Sequence, residues 1–200
     1  YDFLVQGMGG PMSVTGEPTG APMKAGYAVA DIYTGLYASV GILSALRRRD
    51  ATGEGASLDM ALLDAQVAVL GNQAMNYLVS GNPPPRLGNA HPNIGPYDVF
   101  PVADGHIIIA TGNDGQWRKL CEVLGDAALA SHPDYADNRS RVANRAALTA
   151  TLHLLTQRYG KADLLAALEA VGVPAGPINA VDEVFADPQI VARGVRVDLP

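Results

Sequence analysis

Residues 21–46 read APMKAGYAVADIYTGLYASVGILSAL, and from Ala28 to Leu46 they hold a single charge, Asp31. Apolar side chains recur at helical spacing (Ile32, Leu36, Val40, Leu43, Leu46), which predicts a helix over Val29–Arg49. It ends in Arg47, Arg48 and Arg49, cations that suit a helix C-terminus. Small residues (Ala30, Gly35, Ala38, Ser39, Gly41, Ser44) invite a second backbone to approach closely. A helix this apolar is expected to be nearly all buried. A buried carboxylate is costly unless it is paired or used, so Asp31 either caps the helix start or does chemistry. The residue alone leaves both readings open.

Upstream, Tyr1–Gln6 reads as a short β-like run and Gly7–Pro22 as a Gly/Pro/Thr-rich loop. Downstream, residues 52–55 form a turn and Ala56–Met60 a short strand. Helical spacing resumes from about Met60 (Leu63, Val67, Leu70, Ala74, Tyr77, Leu78). It stops at Ser80, where Pro83, Pro84 and Pro85 forbid continuation and mark a boundary. Beyond the loop 88–96, strands are expected at Tyr97–Pro101 and His106–Ala110 around an Asp104-Gly105 hairpin turn. A helix carrying Trp117, Leu120, Cys121 and Leu124 follows, capped by Asn113 or Asp114. Helices are then expected at Arg139–Tyr159, Lys161–Ala170, Ala180–Phe185 and Pro188–Arg193, with a last strand at Val195–Leu199.

The chain has 200 residues, 48% of them apolar and 17% charged, which suits a globular protein with a sizeable core and excludes a disordered one. Its net charge is −6 and its basic residues form no long run, so nucleic acid is not an expected partner. Residues 29–46 come nearest to a membrane span, but Asp31 and the small residues favour a protein core, and no membrane is expected. The single cysteine, Cys121, excludes an intrachain disulfide and fits a reducing, cytoplasmic setting; it reads as a small buried hydrophobe. His91, His106, His132 and His153 show no ligand spacing with one another or with Cys121, so no metal is expected. Residues 7–10 (GMGG) lack the spacing of a phosphate-cradling loop.

Several segments in order, residues 6–16 (QGMGGPMSVTG), 52–65 (TGEGASLDMALLDA), 172–179 (GVPAGPIN) and 185–190 (FADPQI), together with the Asp31 helix, resemble the class III CoA-transferases, the formyl-CoA type or CaiB/BaiF family. The resemblance runs over essentially the whole chain. It implies an α/β fold: part of a Rossmann-like large domain (1–65), a linker helix and Pro-rich boundary (66–86), a small α/β domain (87–170) and a return segment to the large domain (171–200). It further implies members about twice this length, of which this would be the C-terminal part, and an interlocked homodimer.

The resemblance makes Asp31 the nucleophile for moving CoA from an acyl-CoA thioester to a carboxylic acid, through an aspartyl anhydride and an enzyme–CoA thioester. A carboxylate can do this, and the reactive intermediates need a dry pocket. The related α-methylacyl-CoA racemases carry a His where this chain has Tyr1; a tyrosine, with its ordinary pKa of about 10, is ill suited to exchange an α-proton at neutral pH. Tyr1 and Asp2 are therefore expected to line the CoA and acyl site. Gly88, Asn89, Ala90 and His91 stand where formyl-CoA type members carry consecutive glycines that close over the site. The departure from that run puts a glycine lid, and a substrate as small as oxalate, in doubt. Asp59 and Asp64 are better explained by capping or ion pairing. A racemase or epimerase, and a non-catalytic assembly segment, are the alternative readings.

Overall fold

The structure, a computed structural model, describes residues 1–198. The chain divides into two compact units, Tyr1–Asn89 and a second beginning at Ala90.

In the first unit the described residues form helices and loops: α1 (Asp2–Met8), α2 (Pro11–Val14), α3 (Val29–Thr52), α4 (Leu62–Ala68) and α5 (Asn72–Ser80). No strand of a Rossmann-like sheet lies among them. The strand expected at Tyr1–Gln6 is instead α1, where Asp2 stands in the first turn and pairs with Gln6 four residues on. The strand expected at Ala56–Met60 is irregular backbone, because an extended run needs a neighbour to pair with and finds none among the described residues. The single helix expected from Met60 is broken into α4 and α5 at Gly71, whose φ of +55° is readily open to glycine alone.

The long helix α3 forms as expected and runs one turn further, to Thr52, where the N–H of Gly53 donates to Arg49 O at 2.7 Å. Its burial does not follow the expectation. Ala30 is its one buried residue, while Ile32, Leu36, Val40, Leu43 and Leu46 are exposed. The apolar periodicity records a need for partners, and within this unit α1, α4 and the Leu58 side chain pack against it. By length and composition α3 would also suffice to cross a bilayer. The buried side chains of the unit are few and mostly small or polar, Ala30, Ala65, Gln6 and Gln66 among them.

The second unit has a full core. Strands β1 (Tyr97–Val102), β2 (Gly105–Ala110) and β3 (Ala175–Pro177) form an antiparallel sheet in the order β1-β2-β3. Alternation along β1 and β2 turns Phe100, Val102, Ile107 and Ile109 inward, with Phe100 opposite Ile107. Against them pack α6 (Asp114–Val123), α8 (Arg145–Thr156) and α9 (Lys161–Ala170), which bring Trp117, Leu120, Cys121, Leu148, Leu152, Leu164 and Leu168. Burial pushes the Cys121 thiol, with Asp126 nearby, up to about 12.

The hairpin lies one residue from its expected place: Val102 pairs with Gly105, so the turn is Ala103-Asp104. Asp104 is then placed to accept from the N–H of Lys161 at 2.7 Å and cap α9. Asn113, not Asp114, caps α6 through the N–H of Gln116. The helix expected at Arg139–Tyr159 is two, α7 (Asn138–Ala143) and α8, separated at Asn144. The segment expected to return to the first unit supplies β3 to this sheet and Val173 to its core. Short helices α10 (Val181–Ala186) and α11 (Pro188–Ala192) follow. Of the strand expected at Val195–Leu199, residues 195–198 are irregular and Leu199 lies outside the described residues.

Candidate active site

The start of α3 is fixed from α1. Asp2 and Gln6, one turn apart, lie side by side, and Gln6 Nε2 donates to Asp2 Oδ2 at 2.6 Å. Gln6 is fully buried; its Oε1 accepts from the N–H of Ala25 at 2.9 Å and its Nε2 reaches Tyr27 O at 3.4 Å. Asp2 Oδ1 accepts from the N–H of Ala30 at 2.8 Å. Together these bonds hold the approach Ala25–Ala28 and the first turn of α3 on one surface of α1. Ala30, fully buried, faces that contact, and the next residue around the helix, Asp31, faces out.

Asp31 therefore does not cap α3. Three amides of the first turn have other acceptors: Val29 N–H donates to Tyr27 O at 2.9 Å, Ala30 N–H to Asp2, and Ile32 N–H to Ala28 O at 3.1 Å. The Asp31 carboxylate has no hydrogen-bond partner among the described residues. Nor does it sit in a dry pocket in this chain, where it is exposed. What the chain builds is a presented carboxylate on the first turn of a long helix.

The remaining site residues fall in both units. Tyr1 precedes α1 and is 94% exposed, beside Asp2 in sequence and away from any enclosure. Lys24, the nearest basic residue in sequence, donates from Nζ to Ala25 O at 3.0 Å. Gly88, at φ +62°, donates its N–H to Gly16 O at 3.1 Å, a conformation that a side chain would strain. Asn89, exposed, ends the first unit; Ala90 and His91 open the second. His91 N–H donates to Tyr97 O at 3.0 Å, its Nδ1 accepts from Asn93 N–H at 3.1 Å, and its ring lies 5.1 Å from that of Tyr97. Partial burial, and then the neighbouring Arg145 cation, hold the His91 pKa below its ordinary value. The Gly88 and His91 amides are thus already engaged by backbone carbonyls outside the loop.

Asp59 and Asp64 are exposed and line a shallow depression with Tyr37, Met60 and Ala65. No group of three or more His, Cys, Asp or Glu able to hold a metal ion occurs among the described residues. Gln6 carries a role that sequence reading missed. The signal was present: Asp2 and Gln6 are four apart, but a strand reading of 1–6 sets residues four apart about 13 Å from one another and hides the pair.

With this geometry in view, the chain matches CoA-transferase family III over residues 1–200. It is 58% identical over 199 residues to the succinate–glutarate CoA-transferase of Agrobacterium fabrum, covering 100% of this chain and 50% of that protein. It is 36% identical to the human succinyl-CoA:glutarate CoA-transferase, covering 100% of this chain and 45% of that protein. A crystal structure of a CaiB/BaiF family protein from Brucella suis superimposes with a TM-score of 0.83 at 57% identity, over 99% of this chain and 52% of that one. The chain belongs to CoA-transferase family III, with the α/β fold of that family. It spans about half the length of the curated relatives it matches.

Proposed function

We propose that the protein transfers CoA from an acyl-CoA thioester to a carboxylic acid, with Asp31 as nucleophile. The observation that carries this reading is the uncommitted Asp31 carboxylate, presented on a helix start whose capping is done by another residue. Family membership supports the reaction class, and the relatives named for succinate, glutarate and succinyl-CoA support short dicarboxylic acids as donor and acceptor acids.

In this reading an Asp31 oxygen attacks the thioester carbonyl and expels CoA thiolate, leaving a mixed anhydride. The thiolate attacks the aspartyl carbonyl of that anhydride, releases the donor carboxylate and leaves an aspartyl–CoA thioester. The acceptor carboxylate then attacks the aspartyl carbonyl and CoA thiolate leaves again, giving a second anhydride. Attack of the thiolate on the acceptor's acyl carbon yields the new acyl-CoA and restores Asp31. No net proton moves, so no base is required. The anhydrides must be kept from water, a requirement that the exposed Asp31 of this chain does not meet by itself. Tyr1 lines the acyl site, the loop 88–91 contacts CoA, two chains associate, and the compartment is the cytoplasm. Tyr1 in place of a histidine weighs against the racemase alternative.

The test is Asp31→Ala in the full-length protein, assayed for CoA transfer between succinyl-CoA and glutarate by mass spectrometry. Transfer is expected to vanish with CoA binding retained. Hydroxylamine trapping after mixing with succinyl-CoA is expected to mark the peptide containing Asp31. Transfer within tenfold of the unmutated protein, or an adduct elsewhere, would remove Asp31 from the reaction.

A further inference from the structure

Resting on the reading of Asp31 as nucleophile, we infer that Asp2 and Gln6 are positioning residues for it. They relieve Asp31 of helix capping and fix the turn that presents it. The first N–H groups of a helix have no partner within the helix, and a carboxylate in the first turn is the nearest acceptor for them. An aspartate at the third helical position, such as Asp31, would ordinarily be drawn onto those amides. Its oxygens would then be held against the backbone and turned away from a substrate.

Here that demand is met from another helix. Asp2 Oδ1 takes the Ala30 N–H at 2.8 Å, and Asp2 Oδ2 is held in turn by Gln6 Nε2 at 2.6 Å. Gln6, without any exposed surface, orients Asp2 while its other end takes the Ala25 N–H at 2.9 Å. The residue at the helix boundary, Ala28, has no side chain able to cap. Removing the acceptor at position 2 would therefore leave the Ala30 amide to the Asp31 carboxylate. This assignment gives Asp2 a function other than contact with CoA: both its oxygens are engaged inside the protein.

The assignment makes a signature that ordinary structural damage does not. In the full-length protein, Asp2→Ala is expected to lower kcat about 10- to 100-fold, the scale on which a misplaced reacting group acts, with KM for succinyl-CoA within about threefold. The rate of adduct formation on the Asp31 peptide falls by the same factor as kcat. Asp2→Asn keeps an oxygen for the Ala30 amide and loses the Gln6 bond, so its loss of kcat is expected to be several-fold smaller than that of Asp2→Ala. Equal losses in the two variants would assign the effect to the Asp2 charge and overturn the inference. So would a raised KM at unchanged kcat, which marks Asp2 as a CoA ligand. If Asp2→Ala does not fold, Asp2→Asn decides alone: an unchanged rate of adduct formation with raised KM overturns the inference, and a modest fall at constant KM supports it. Asp31→Ala is run alongside. Transfer surviving in that variant overturns the nucleophile assignment itself, whereas transfer lost there and retained at full kcat in Asp2→Ala overturns the positioning role alone.

Discussion

The guanidinium of Arg141, with its side chain wholly buried, donates from Nη2 to Asp114 Oδ1 at 2.6 Å. Its other donors reach Gly95 O from Nε at 2.6 Å and Tyr135 O from Nη1 at 3.0 Å, and its carbon lies 5.4 Å from the centre of the Trp117 ring. One side chain thereby ties the loop before β1, the start of α6 and the stretch before α7. Arg141→Met leaves two backbone carbonyls and the half-exposed Asp114 carboxylate without their donor and is expected to destabilise the second unit by about 2–4 kcal/mol. Arg141→Lys, a point charge in place of a planar fork, is expected to recover less than half of that. Urea unfolding followed by the fluorescence of Trp117 measures both. A loss under about 1 kcal/mol for Arg141→Met would show that the network contributes little.

Cys121 makes the alkaline limb of stability distinctive. Its folded pKa is raised to about 12 from 9.0, chiefly by burial. The sign follows directly: between about pH 9 and pH 12 the unfolded chain releases a proton that the folded chain keeps, so stability falls as pH rises. The slope approaches about 1.4 kcal/mol per pH unit inside that window and vanishes below it. Comparing the protein with Cys121→Ala between pH 8 and 10.5 isolates this contribution, since every other group titrates in both. Parallel curves above pH 9 would show that the thiol ionises freely in the folded state.

The second unit is expected to fold when excised, provided that it includes β3. A fragment of residues 90–178 retains Val173, 2% exposed, and the strand pairing of Ala175–Pro177 with β2. A fragment of residues 87–170 lacks both. Loss of one buried valine at about 2 kcal/mol is enough to lower Tm by about 10 °C in a domain of this size. Calorimetry of the two fragments checks this, and equal Tm values would show that β3 is not part of the cooperative unit.

The apolar stripe of α3 (Ile32, Leu36, Val40, Leu43, Leu46) is exposed in this chain, and contiguous apolar surface of this kind is usually covered by association. The 200-residue chain alone is expected to sediment as an oligomer or aggregate, and Leu36→Lys with Leu43→Lys to shift it toward monomer. Flotation with anionic lipid vesicles is expected to leave the chain unbound. A monodisperse wild-type monomer would contradict the first expectation and vesicle binding the second.

What could be read from the sequence divides along physical lines. Patterns set by nearby residues were legible: the 3.6-residue spacing of α3, the alternation of β1 and β2, the prolines after Ser80. Features settled by distant partners were not. That Asp2 and Gln6 meet residues 25–30 could not be read, because no short window contains both. Apolar spacing along α3 records a demand for cover without saying which surfaces meet it. For the site, Asp31 stood out as the lone charge in an apolar run, and the resemblance chose chemistry over capping. That Asp2 performs the capping appears only once α1 and α3 are in contact.

The hydrogen bond from Ala30 to Asp2 spans 28 residues of chain. The turn that carries Asp31 is therefore a product of tertiary folding, because closing such a loop must precede the cap it delivers. A peptide of residues 25–52 would propagate helix through its middle and fray at its start, since Ala28 offers the first amides no side-chain acceptor. In that peptide the only carboxylate at hand belongs to Asp31, which would stitch itself to its own backbone. Helicity and reactivity at this position are thus opposed in the isolated segment and reconciled only when α1 docks. Amide exchange at Ala30 should accordingly report the docking of α1 more closely than the helical content of α3.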